Sequence, residues 1–268
     1  TGIISYNYTN TSYAKWSSST ESKNIIKLHV KSSLDESGAN KPELTSNMIP
    51  VYYDETSSSW KKSDSNNSDE NNKWYDYNNK MWANAVTVSD TNRSKYLSAS
   101  AGTTISMDDI NTMWVWIPRY TYTYLKTNTP EEIKIKFESG TNSTGTIKCT
   151  DSVTGASSTS ETCTDSTNGS LKEGTSTYTH PAFTFGTQEL TGIWVGKFEV
   201  TGSISDVTVK PNLSSIRAKN VSTFETNIMN MKNSGNKYGF SDSDDTHMIK
   251  NMEWGAVTYL SHSKYGIN

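Results

Sequence analysis

GIWVGKFEVT (192–201) and NMEWGAVTYLSHSKYG (251–266) are the two stretches on which the fold of this chain turns. The first is a strand whose apolar residues are Trp194, Val195, Phe198 and Val200. The second places Met252, Ala256, Val257 and Leu260 at helical spacing, and then runs into a Tyr265-Gly266 turn. An aromatic strand and a short amphipathic helix belong to a packed core of mixed α and β structure. Neither block carries a nucleophile, a metal-ligand cluster or a Gly-rich phosphate loop, so neither has the pattern of an active site.

The surrounding 268 residues suffice for one large domain or two small ones. Only 32% of them are hydrophobic, yet 8 Trp and 15 Tyr are present. Each ring can bury roughly 150–250 Å², so rings must fill an interior that aliphatic side chains cannot. Ser, Thr and Asn make up about four residues in ten. Such side chains favour strands and turns, the composition of an extracellular β-rich protein. Asn-x-Ser/Thr triplets recur at Asn7, Asn10, Asn66, Asn92 and Asn142, as chance dictates in so Asn- and Ser-rich a chain.

A net charge of −3, with Lys and Arg scattered, gives no electrostatic footprint for nucleic acid. No apolar run of about 18 residues is present, so no membrane span is expected. No motif calls for a cofactor. The chain opens at Thr1 without Met or signal peptide and stops at Asn268 in a turn after a helix. It is expected to be processed or a fragment, with further residues after Asn268.

Along the chain, Ile26, Leu28 and Val30 alternate with Lys27, His29 and Lys31 and predict a strand over 24–31. MIPVYYD (48–54) and a return from Trp60 predict a hairpin, and 63–73 a solvated loop. Residues 74–88 predict an aromatic hairpin turning at Asn78-Asn79. Ser106 as N-cap with Asp109 predicts a helical turn or two over 106–113. Residues 114–124 predict a strand in which Pro118 marks an edge or a bulge. A further strand is expected at 133–137, and 139–176 is a low-complexity hydroxyl-rich surface loop. Ser222 and Glu225 form a capping box for a helix over 223–233 ending near Gly235. After an acidic loop at 241–247, a second helix runs from Met248 to Leu260.

Cys149 and Cys163 lie inside the hydroxyl-rich loop. A disulfide between them would close a loop of about 15 residues, worth on the order of 3 kcal/mol, and would imply an oxidising compartment. Two free thiols are the alternative. His180, His247 and His262 stand in different elements and form no His-x-x-x-His or His-Glu pair. Asp242, Asp244 and Asp245 with neighbouring hydroxyls offer hard oxygens at alternate positions, a weak calcium candidate that lacks the EF-hand Gly and Glu. Glu131, Glu132 and Glu253 offer carboxylates without showing a pair across a cleft. Trp74, Tyr75, Tyr77, Trp82, Tyr120, Tyr122 and Tyr124 are ring candidates for stacking on a sugar. If the strand face carrying Tyr120, Tyr122 and Tyr124 is covered it is core, and the scarcity of aliphatic residues favours that.

WIPRY (116–120) and GIWVGKFEVT (192–201) resemble the start of the formylglycine-generating-enzyme-like domain, a branch of the C-type-lectin-like fold. MEWGAVTYLS (252–261) is similar to that family's second helix. The resemblance covers about 114–268 and implies a lectin-like domain whose first helix is displaced by an insertion. The enzymes of that family need a pair of redox cysteines in the C-terminal half, and 164–268 holds no cysteine. In that fold the ligand surface follows the second helix, where this chain stops, so the resemblance implies a domain truncated at its C-terminus. MIPVY (48–52), WANAV (82–86), VWIPRY (115–120) and EWGAVTYL (253–260) also occur in this order in a set of low-GC Gram-positive surface or prophage proteins of no known activity, which the chain resembles over most of its length.

The expectation is an α+β, mostly β protein. β-hairpins occupy 1–105, and a lectin-like domain with two short helices occupies 106–268, with an inserted loop at 139–176. The expected function is a non-enzymatic extracellular adhesion module on a cell surface, pilus or phage particle. Its partner is carbohydrate or protein on a host or neighbouring surface. The alternative is a structural subunit that polymerises with copies of itself into a filament or virion layer.

Overall fold

The computed structural model describes residues 34–45, 47–123, 132–142 and 177–266, together with the backbone of strands at 2–7, 11–16, 27–30, 147–154 and 157–165. It is mostly β, with three short α-helices among the described residues. Strands β1 (Gly2–Asn7), β2 (Thr11–Trp16) and β3 (Lys27–Val30) form a three-stranded antiparallel sheet.

A five-stranded antiparallel sheet carries the main body. Its members are β4 (Ile49–Asp54), β5 (Ser59–Lys62), β6 (Asn84–Val88), β7 (Ile110–Pro118) and a distant strand at Gly192–Gly196. The hairpin β4–β5 forms as expected, with Asp54 accepting from Thr56 N–H and Ser57 Oγ in the turn. β6 is central, and Ala85, Val86, Thr87 and Val88 are buried on both of its faces. Helix α1 (Asp90–Ser98) follows β6. The sequence does not announce it, because it is polar almost all round and buries Tyr96 alone.

The helix expected over 106–113 is one turn, closed by Asp109 N–H donating to Ser106 O at 3.1 Å. Ile110 already belongs to β7, since the aromatic and β-branched run that follows pairs with β6. Residues 74–88 are likewise not a hairpin. Asp76 and Met81 make one bridge around a turn through Lys80 (φ 60°), and β6 pairs instead with β4 and β7. The 63–73 loop is anchored rather than merely solvated. Asn67 is fully buried, accepting from Trp74 and Tyr75 N–H and donating to Tyr75 O.

The strand expected over 114–124 divides at Arg119. β7 ends at Pro118, and β8 (Tyr120–Thr123) enters a second sheet. There it is flanked by β9 (Ile135–Phe137) and a strand at Thr177–Thr179. Pro118 therefore stands where the chain leaves one sheet for another. Within 139–176, β10 (Ile147–Thr154) and β11 (Ser157–Asp165) pair as an antiparallel hairpin rather than leaving the segment without regular structure. Cys149 and Cys163 are direct cross-strand partners in its register.

Next come β12 (Thr177–Thr179), β13 (Thr184–Phe185), β14 (Gln188–Glu189), β15 (Gly192–Gly196), β16 (Thr201–Ser203) and β17 (Asp206–Thr208). β15 is shorter than the expected strand: Phe198 and Val200 lie beyond its end and pack separately. It fits against β7 because Gly192 has no side chain. A Cβ there would stand 2.3 Å from Trp116 Cζ2.

Helix α2 (Val221–Met229) has its N-cap at Asn220, two residues before the expected one, so Ser222 and Glu225 lie inside it. Gly235 (φ 78°) follows the single 3-10 turn that extends it. Helix α3 (Asn251–Ser261) starts after Lys250, whose N–H donates to the Glu253 carboxylate, which leaves Met248 and Ile249 ahead of the helix.

Ring-rich packing holds the interior. Trp74, Tyr77, Trp116, Tyr120, Phe137, Phe183, Leu260 and Tyr265 form one cluster. Two smaller clusters flank it, around Val86, Ile110 and Met113 and around Met48, Met231 and Tyr238. The position 105/106 falls within the span of the five-stranded sheet. The five-stranded sheet takes β4, β5 and β6 from one side of that position and β7 and β15 from the other.

Candidate recognition surface at the head of helix α3

The chemistry of α3 is set by the loop that delivers it. Glu253 Oε2 accepts from Lys250 N–H at 2.7 Å and closes the helix N-terminus. Its other oxygen lies 2.9 Å from His247 Nε2, and Asp245 Oδ2 lies 3.2 Å from His247 Nδ1. The hydrogen bond to Glu253 holds the His247 pKa above the usual imidazole value, although burial opposes it. Burial pushes Glu253 upward, but the bonds from His247 and Lys250 outweigh it and the net shift is downward. His247 and Glu253 thus pair in space across an offset of six positions, which leaves no adjacent His-Glu motif in the sequence. The pair fixes the loop onto the helix. Among the described residues no hydroxyl or thiol hydrogen-bonds the His247 ring.

Four large apolar side chains close to this clamp in sequence or contact are exposed. Trp254 is 60% exposed, Met252 49%, Phe185 48% and Ile249 46%. Lys250 Nζ sits 4.1 Å from the centroid of the Phe185 ring, a cation–π contact that links the β13–β14 hairpin to the helix. The opposite face of α3 is the buried one. Ala256 and Leu260 enter the core, and the place of a Cβ at Gly255 lies 3.6 Å from His180 Nε2. The helix therefore presents one side to the core and leaves a large aromatic at its head in solvent.

The ring candidates divide by burial. Trp74, Tyr75, Tyr77 and Tyr120 are buried and serve the core, so no open ring face remains for stacking. Trp74 Nε1 donates to Asn84 O, Tyr77 Oη to Trp116 O and Tyr120 Oη to Ala256 O. Tyr122 is half-buried against Tyr259 and His180, and Trp82 is half-buried with Nε1 donating to Tyr265 O. Tyr124 and Glu131 lie outside the described residues.

His180 is buried among Tyr120, Tyr122, Phe183 and Tyr259, and burial lowers its pKa to about 4. His262 bonds Thr258 O in its own helix. Asp244 closes a turn, accepting from Ser241 N–H at 2.7 Å, and Asp245 faces His247. Asp242, Asp244 and Asp245 do not converge, and no group of three metal-ligating side chains does so among the described residues. No described helix is long and apolar enough to cross a membrane.

Two further features are not legible in the sequence. One is the exposure of Phe185, Ile249 and Trp254, since local spacing alone cannot say which apolar residues the fold leaves uncovered. The other is Arg119, fully buried with Glu138 and Glu189 beside it. No protein-family model, curated protein or solved structure matches the chain.

Proposed function

We propose that this chain is a non-enzymatic extracellular recognition module. In this reading it is displayed on a cell surface, pilus or phage particle, and it engages carbohydrate or protein on a neighbouring surface through the exposed apolar side chains at the head of α3. The observation that carries the reading is the exposure of Trp254, Met252, Phe185 and Ile249 close to the Lys250–Glu253–His247 clamp. Exposed large apolar side chains ringed by polar groups mark interaction sites, and Trp beside charged groups is the composition of binding hot spots.

The cross-strand register of Cys149 and Cys163 supports a disulfide and, with it, an oxidising compartment. A β-rich body with α3 packed against residues 181–183 and β7 is compatible with a lectin-like arrangement of 106–268. The test is a screen of the full chain against immobilised glycans and intact cells, beside turnover assays on thiol, glycoside and peptide substrates. Binding without turnover supports the reading, and turnover of any of these substrates removes it.

One observation favours a second reading, a structural subunit. β15 is an edge strand of the main sheet. On its outer side it has no backbone partner among the described residues; Trp194 Nε1 donates to Glu43 O, and Thr191, just ahead of the strand, bonds Asn40 and Glu43. A strand so placed can pair with another copy. Filaments or layers of this chain in electron micrographs would favour that reading.

A further inference from the structure

A shallow cavity of about 200 Å³ opens between the end of α2 and the β16–β17 hairpin, away from Trp254 in sequence and lined by different residues. Asp206, Asn227, Asn230, Asn236, Lys237 and Tyr238 carry its chemistry.

Its walls are fixed by bonds that leave one polar group free on each of Asn227, Asn230 and Asp206, the last two exposed to solvent. Asn236 Oδ1 accepts from the N–H groups of Tyr238, Gly239 and Phe240, and its Nδ2 donates to Asn233 O and Phe240 O. Tyr238 Oη donates to Val207 O at 2.6 Å, and its ring stacks on Phe240. Asn227 spends its Nδ2 on Thr223 O and keeps its carbonyl oxygen. Asn230 spends its carbonyl oxygen on Asn233 and keeps its NH₂. Asp206 spends one carboxylate oxygen on Lys237 and keeps the other.

What remains is a donor amide, an acceptor amide and an acceptor carboxylate within one small cavity. An anion would meet Asp206, while Lys237 is already neutralised. A divalent cation would find one carboxylate, far short of the oxygen set it needs. An apolar ligand would strand the amides without partners. Adjacent hydroxyls, each both donor and acceptor, satisfy all three groups at once.

We propose that this cavity binds a neutral polyhydroxylated ligand the size of one sugar ring. The proposal rests on the recognition reading and names its ligand class, but at a site separate from Trp254. So few contacts in an open site imply dissociation constants of about 1 mM, which many displayed copies would convert into firm attachment.

The test is NMR titration of the full chain with methyl glycosides of glucose, galactose, mannose and N-acetylglucosamine. Asn230→Ala and Asn227→Ala, both at the helix surface, serve as variants, and Trp254→Ala as control. Amide signals of 204–207, 227–231 and 236–238 should shift for at least one sugar. Either cavity variant should weaken the shift by about tenfold, and Trp254→Ala should leave it unchanged. Absence of shifts for all four sugars overturns the proposal, as do shifts that both cavity variants leave intact. Glycan or cell binding that depends on Trp254 while the cavity stays silent would sink this inference and leave the recognition reading standing. Cavity shifts without any cell or glycan attachment would do the reverse.

Discussion

Arg119 Nε donates to Glu138 Oε2 at 2.8 Å across the seam where the chain leaves the five-stranded sheet for the second one. The guanidinium is fully buried, lies 2.6 Å from Glu189 Oε2, and donates to Phe183 O and Leu190 O. Glu138 also accepts from Thr179 Oγ1 in β12. One side chain thus ties the β7–β8 junction, the end of β9 and the β13–β14 hairpin together. Removing one partner of a buried pair leaves the other charge uncompensated. Arg119→Met is expected to cost about 3–5 kcal/mol in urea unfolding, with Arg119→Met/Glu138→Gln recovering part of it.

Gly192 faces Trp116 with no room for a side chain, since its Cβ would also stand 2.6 Å from Ile117 O. Gly192→Ala must push β15 away from β7. A loss of about 1–3 kcal/mol is expected, read as a lower unfolding midpoint, while Gly140→Ala serves only as a comparison for a strained turn (φ 73°) with open space around it.

The two paired histidine environments separate by pH. His247 is raised above 6.5, so its share of stability is complete below that value and is lost as pH rises through its folded pKa. Glu253 is lowered below 4.5, so its share is present above that value and is lost as pH falls through its folded pKa. The clamp is therefore strongest between those two ordinary values, and His247→Gln should flatten the rise in melting temperature on acidification from neutral pH towards 6.5. His180, lowered by burial to about 4, acts in the opposite sense further down: its share is present above 6.5 and is lost as pH falls from 6.5 through about 4. Imidazole NMR should show His247 titrating above 6.5 and His180 still neutral at pH 5.5, about one unit below the free imidazole value.

Cys149 and Cys163 are Cα partners in the β10–β11 register. Peptide mapping without reduction should recover both cysteines in one linked peptide pair. Recovery of two alkylated free thiols would contradict the staple and remove the argument for an oxidising compartment.

How much of this was legible in the sequence follows from what kind of force placed each residue. The β4–β5 hairpin and the cores of β7 and α3 were readable, because alternation and helical spacing there answer to a single buried face. Helix α1 was not, because it holds its place through polar anchors such as Arg93 Nη2 to Lys237 O and Tyr96 Oη to Asp109, which leave no periodic apolar signal. The Tyr120–Tyr124 strand looked like a platform or a core; burial of Tyr120 and the packing of Tyr122 on His180 make those two core. The His247–Glu253 pair joins a loop to a helix turn and the Arg119 cluster joins four segments, so both depend on tertiary placement that local spacing cannot encode. The exposure of Trp254 depended on which side of α3 the core claimed.

The central claim rests on Trp254, and the direct measurement compares the wild-type chain with Trp254→Ala on the cell or glycan surface that the screen identifies. Because the ring is 60% exposed, the variant should unfold within about 0.5 kcal/mol of wild type. Its attachment should weaken by about thirtyfold or more, the loss of at least about 2 kcal/mol that marks a hot spot. Equal attachment by a fully folded Trp254→Ala would contradict the account.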